Sequence, residues 1–142
     1  MNRRFFTPRE ANQLLPFIQE DIANLQKTKR EFVQTALRLR ELRLEHERND
    51  REPPADDVFR MEASMEFLQM EAKTLADSIR LKGAELKDVD TGLVDFPARM
   101  NGEEVLLCWR QGEERIGFYH GLEDGFRGRR PLPADAAEED FQ

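Results

Sequence analysis

GEEVLLCWRQGEERIGFYHG, residues 102–121, holds the only cysteine, tryptophan and tyrosine of the chain and one of its two histidines. The fold turns on whether this stretch is a catalytic site or a small sheet with one packed face. Short apolar, β-branched and aromatic runs at 93–96, 104–110 and 115–120 are separated by Asn101-Gly102 and by Gln111-Gly112-Glu113-Glu114, which is the punctuation of strands and turns. Asn-Gly is the strongest short hairpin signal, because both central residues of a two-residue turn need positive φ. A two-residue turn there sets Phe96 opposite Leu107, Val94 opposite Trp109 and Asp95 opposite Cys108. A four-residue second turn sets Trp109 opposite Ile116, Leu107 opposite Phe118 and Val105 opposite His120. Both registers then place Val94, Phe96, Val105, Leu107, Trp109, Ile116 and Phe118 on one face of a three-stranded antiparallel meander. Such a sheet needs cover to be stable.

This register predicts that Cys108 and Asp95 project from the face opposite His120. A cysteine nucleophile needs a base within hydrogen-bond reach, so a Cys108–His120 dyad is not expected, nor is an Asp95–His120 pair. Cys108 reads as a small packed residue, His120 as a structural histidine at a strand end, and Trp109 as a core anchor. No catalytic residue is assigned.

Upstream of the sheet the period changes to that of helices. Thr7-Pro8-Arg9-Glu10 is a capping box with proline at the first helical position, and Phe6 with Ala11 forms a hydrophobic staple. Apolar residues at Ala11, Leu15, Ile18, Ile22, Leu25, Phe32, Ala36 and Leu39 follow spacings of four and three, interrupted at Lys29, and make a heptad seam. Pro16 removes one helical donor without breaking the phase, so one kinked helix is expected over about 8–47. Residues 48–55, RNDREPPA, form a loop. A second helix, about 57–82, is capped by Asp56 or Asp57, carries Val58, Met61, Met65, Leu68, Ala72, Leu75 and Ile79 on its seam, and stops at Gly83.

The expected fold class is therefore α+β: a long antiparallel two-helix coiled-coil hairpin, residues 1–83, followed by a small three-stranded antiparallel sheet and an Arg-rich loop, 84–133, and a disordered acidic tail, 134–142. Leu14, Phe17, Val33, Leu37, Leu44, Phe59, Phe67 and Met70 fall outside the seam. A lone hairpin leaves them wet, which calls for a partner surface. A second copy, giving a dimer through helix packing, is the simplest cover; the C-terminal segment folding back is the alternative.

Composition excludes several functions. The chain has 142 residues, 36% of them charged, with a net charge of −7, and its mean hydropathy is −0.75. So polar a chain favours an elongated or oligomeric protein, and its acidity argues against nucleic acid or anionic lipid as partner. Residues 1–55 carry 11 basic and 9 acidic groups, residues 56–142 carry 11 and 20, an asymmetry that permits head-to-tail attraction between copies. One cysteine forms no internal disulfide, MNRRFF lacks the apolar run of a signal peptide, and no segment spans a membrane, so a cytoplasmic protein is expected.

Glu113, His120, Glu123 and Asp124 are the residues that could gather at one sheet edge, but no HExxH, paired cysteines, Asp-rich calcium loop or Walker loop is present. No metal or cofactor is expected. The one polar element that stands out is Gly125-Phe126-Arg127-Gly128-Arg129-Arg130-Pro131, where Arg127, Arg129 and Arg130 suit a carboxylate or phosphate. The acidic run 135–140 could satisfy the same arginines.

Several blocks carry a resemblance. Arg4-Phe5-Phe6-Thr7 with Glu10-Ala11-Asn12 and Leu14-Leu15-Pro16, Gly92-Leu93-Val94-Asp95-Phe96-Pro97, Leu107-Cys108-Trp109 with Gly112-Glu113, and Tyr119-His120 with Gly125-Phe126 and Gly128-Arg129 resemble the bacterial family known as domain of unknown function 2203. The resemblance implies a bacterial cytosolic protein of the same helical-hairpin plan, implies no activity, and marks Asp95, Trp109, Glu113, His120 and Arg129 as motif positions.

Two functions from different classes follow. The first is a non-catalytic interaction or oligomerisation module with itself or another protein. The second is a small enzyme or binder of an anionic ligand or metal, using Glu113, His120, Arg127, Arg129 and Arg130 at the sheet edge.

Overall fold

A computed structural model describes residues 3–133 and 138–141. Two helices, α1 (Pro8–Arg48) and α2 (Ala55–Leu81), precede five strands: β1 (Glu85–Asp88), β2 (Leu93–Met100), β3 (Glu103–Arg110), β4 (Phe118–His120) and β5 (Arg130–Pro131). The strands form one antiparallel sheet in the order β1-β2-β3-β4-β5. The α+β class is as expected; the sheet has five strands where three were predicted. β1 reads ELKD and β5 only two residues, too short and polar to show a period.

The start of α1 follows the predicted chemistry. The Glu10 amide donates to Thr7 Oγ1 at 3.1 Å, and the Thr7 amide to Glu10 Oε1 at 3.0 Å, so two helix-end donors are satisfied reciprocally. α1 runs through Pro16 without ending. α2 begins at Ala55, ahead of its expected cap, because the Pro54 carbonyl already accepts the Val58 amide at 3.1 Å; Asp56 and Asp57 lie in the first turn, where carboxylates oppose the positive helix end. Gly83 stops α2 with φ of 96°, and a Cβ there would lie 3.0 Å from the Phe6 ring.

The chain forms two compact units rather than dividing at residue 83: Met1–Ile22 with Ala76–Gln142, the sheet unit, and Ala23–Leu75, the hairpin unit. The sheet unit has a continuous core. Phe6, Ala11, Leu15, Ile18 and Ile22 pack with Ile79 and Ala84 and with Val94, Phe96, Ala98, Val105, Leu107 and Trp109 from one sheet face. Phe6 meets Phe96 edge to face at 5.4 Å, an aromatic geometry favoured by the ring quadrupoles. In the hairpin unit, Leu25, Leu39 and Leu68 are the buried apolar residues, and Arg43 pairs with Glu62 across it at 2.7 Å. Where the seam was predicted to break, Lys29 is exposed and Thr28 is buried in its stead.

Asn101 and Gly102 adopt φ of 53° and 84°, so the first hairpin has the expected turn and register, with Val94, Asp95 and Phe96 opposite Trp109, Cys108 and Leu107. The second register is off by one residue. Leu106, not Val105, lies opposite His120, and Cys108 lies opposite Phe118. The cause is a long-range bond: the Ile116 amide donates to Asn12 Oδ1 of α1 at 2.8 Å, so residue 116 does not join the ladder and pairing resumes only at Phe118. A one-residue slip moves every side chain to the other face. Phe118 therefore leaves the helix-facing side and Tyr119 takes its place against the core, while Ile116 is buried from the connecting segment.

The expectation of a single packed face also fails. Val105 to Trp109 are all buried, as in a strand covered on both sides. The acidic tail differs too. Residues 134–137 and 142 lie outside the described residues, but Glu138–Phe141 form a 3-10 turn with Phe141 in the core. Glu138 Oε1 accepts the Arg9 amide at 3.0 Å, and the Asp140 carbonyl accepts that of Asn101 at 2.8 Å. Order there comes from one buried aromatic ring and these two bonds.

Candidate functional site

The slipped register puts His120 of β4 on the same sheet face as Asp95 of β2 and Cys108 of β3, against the expectation that set His120 on the other face. Asp95 and Cys108 are direct cross-strand partners, and His120 sits two residues diagonally from Cys108. All three are buried, with exposures of 2%, 0% and 2%. One ligating atom from each lies within 4.8 Å of the others, the one such cluster among the described residues.

The hydrogen bonds define the imidazole. His120 Nδ1 lies 2.8 Å from the Gly121 carbonyl, which can only accept, so Nδ1 carries hydrogen and donates. His120 Nε2 is 3.1 Å from Asp95 Oδ2, and these two atoms hold one proton between them. Asp95 Oδ1 is buried and has no hydrogen-bond partner, a costly state for a carboxylate oxygen. Burial pushes the Asp95 carboxyl above its usual value, against the opposite pull of His120. Burial, reinforced by the charge of Asp95, pushes the Cys108 thiol up to about 12, against Arg129. Such a thiol is not a nucleophile at neutral pH.

A second layer covers the thiol. Arg129 Nη1 is 3.9 Å from Cys108 Sγ, and its guanidinium stacks on Phe118 at 3.9 Å and on Phe126 at 4.4 Å. Its two terminal nitrogens donate to Glu113 at 3.0 and 2.7 Å, the bidentate geometry that only arginine offers. The bonds to Glu113 raise the Arg129 pKa. Burial alone would raise Glu113, but the bonds from Arg129 outweigh it and hold the carboxyl below its ordinary value. Glu113 also caps its own turn: its Oε1 accepts the Arg110 amide at 2.7 Å, and its carbonyl accepts from Trp109 Nε1 at 3.0 Å.

The predicted ligand set is thus split. Glu113 and Arg129 come together, but as partners of each other. His120 is turned into the buried cluster. Arg127 and Arg130 are exposed, Arg130 resting 5.1 Å from the Tyr119 ring. Asp95 and Cys108 were named in the sequence but given no joint role. The missed signal was the unbroken apolar run Val105–Trp109, which marks a strand buried on both faces and so makes its flanking polar partners interior.

Fold and site together define a small α+β protein in which a helical hairpin accompanies a five-stranded antiparallel sheet holding an interior Asp-Cys-His cluster. The family model described as "Uncharacterized conserved protein (DUF2203)" matches residues 4–132, and the chain belongs to that family. No curated protein and no solved structure matches the chain. Among the described residues, no helix is long and apolar enough to cross a membrane.

Proposed function

We propose that the chain is a non-catalytic self-association module, whose hairpin unit pairs with the hairpin unit of a second copy. The observation that carries this reading is a second apolar stripe on each helix: Val33, Leu37 and Leu44 on α1, and Phe59, Phe67 and Met70 on α2, exposed by between 41% and 73%. Spacings of four and seven on α1, and of eight and three on α2, keep each set on one side of its helix. The seam between the helices follows heptad spacing and, in coiled-coil fashion, takes up only the inner residues.

Charge favours a second copy as the occupant. Residues 23–48 carry seven basic and four acidic side chains, and residues 55–75 carry two and five. A two-fold arrangement that sets α1 of one copy against α2 of the other therefore joins surfaces of opposite sign while covering both stripes. Light scattering and sedimentation tested across dilution should give a dimer at micromolar concentration, with a melting temperature that falls as the protein is diluted. The double variant Phe59→Glu/Phe67→Glu should be a folded monomer. A wild-type monomer at micromolar concentration, with stability independent of dilution, overturns the reading.

A further inference from the structure

We infer that Asp95, Cys108 and His120 bind one divalent, thiophilic cation of the zinc type. The donor set is a thiolate, an imidazole nitrogen and a carboxylate, the three ligand chemistries that such ions take. Three strands of one sheet deliver one donor each, so the geometry rests on regular backbone rather than on a loop. In a tetrahedral zinc site adjacent ligand atoms stand roughly 3.3 to 3.6 Å apart. Here Nε2 and Oδ2 are 3.1 Å apart, and all three donor atoms fall within 4.8 Å, so small rotations of side chains close the site.

Three features point to a cation rather than to a merely structural cluster. Asp95 Oδ1 is an interior acceptor that no group meets in good hydrogen-bond geometry; the Cys108 thiol is the one further side chain that donates to this carboxylate, and a thiol is a weak donor, so an ion at this spot would relieve it. The Gly121 carbonyl takes the hydrogen of Nδ1, leaving Nε2 as the nitrogen that faces the other donors; this is the outer-layer bond that orients metal-ligating histidines. Charge closes as well. A thiolate, a carboxylate and a neutral imidazole around a dication sum to zero, and the adjacent Arg129–Glu113 pair is neutral by itself. Binding displaces two protons, the thiol hydrogen and the one held between Nε2 and Oδ2, and changes no oxidation state. Arg129, 3.9 Å from Sγ, pulls toward the thiolate, but burial and Asp95 outweigh it, so the ion itself must displace the thiol hydrogen. The covering segment 121–131 contains only a short 3-10 turn and the two-residue β5, so the ion enters as the chain folds, before this cover closes.

Full-length protein, unfolded and refolded with chelator and then with ZnCl2 or CoCl2, tests the site. One zinc per chain is expected, with a raised melting temperature. The Co(II) form should show a thiolate-to-cobalt charge-transfer band in the near ultraviolet and intense visible bands of a tetrahedral centre. Cys108→Ser should abolish the thiolate band and weaken zinc binding on the order of 100-fold or more, by comparison with losses seen for supporting residues alone; Glu123→Gln should change neither. Refolded wild type that takes up no zinc at micromolar concentration, or zinc binding that Cys108→Ser leaves unchanged, overturns the inference. If Cys108→Ser does not fold, the wild-type Co(II) spectrum decides: a thiolate band supports the site and its absence overturns it.

Discussion

The sheet unit and the hairpin unit solve the same problem with opposite means. The sheet unit closes its apolar residues into one cluster of large side chains, among them Trp109, Phe96 and Phe6, each fully buried. The hairpin unit hides three leucines and a threonine and leaves phenylalanines in water. A chain of given hydrophobicity can complete its core internally or leave apolar side chains exposed; this one does each in a different place, and on the proposed reading a second copy covers the exposed ones. The difference separates residues whose loss should damage folding from residues whose loss, on the proposed reading, should damage assembly.

The contrast is broken or sharpened most strongly at Trp109. Trp109→Ala removes a fully buried ring and its bond to the Glu113 carbonyl, and should destabilise the sheet unit by about 3–5 kcal/mol in urea unfolding. A smaller value would mean that this core collapses easily and is no better packed than the hairpin.

Glu113→Gln gives an intermediate effect. The side chains of Glu113 and Arg129 are 22% and 16% exposed, so some screening persists and a loss of about 1–3 kcal/mol is expected at neutral pH. Its pH dependence follows from the lowered pKa. Folding holds the Glu113 carboxyl below its ordinary 4.5, so the stabilisation is fully present above that value and disappears as pH falls through the folded pKa. The gap between wild type and variant should close in acid. Asp95 runs the other way: its raised value contributes stability that is full below the ordinary 3.8 and lost as pH rises. A gap constant from pH 7 to pH 3 would show that Glu113 acts by shape and not by charge.

Phe67→Ser should do least. At 66% exposure it should shift the stability of the dilute protein by no more than about 0.5 kcal/mol, measured by chemical unfolding at the lowest workable concentration. A cost near that of Trp109→Ala would place Phe67 inside a core and erase the distinction between the units.

Much of the architecture was legible before any coordinates. Thr7, Pro8 and Glu10 marked the start of α1 because capping chemistry is local, and Asn101-Gly102 gave the first hairpin register because its backbone demands are local too. The second register was not legible. It depends on the Ile116 amide meeting Asn12, a bond between residues far apart in the chain, and no pattern in residues 111–117 encodes it. The site went with it, since one residue of slip decides whether His120 faces Asp95. Likewise Glu138–Phe141 read as a solvated acidic tail, because a single aromatic residue among carboxylates carries no period.

Phe141 has a consequence for synthesis. Growing on the ribosome from its N-terminal end, the chain presents Phe6, Ala11, Leu15 and Ile18 early, yet the ring that joins their cluster emerges only after residue 141 is made. Until then the nascent protein carries an open greasy seat beside its first helix, the kind of surface that holding chaperones guard. Ribosome stalling or premature release anywhere ahead of that ring would yield a sticky intermediate instead of a shortened version of the same molecule.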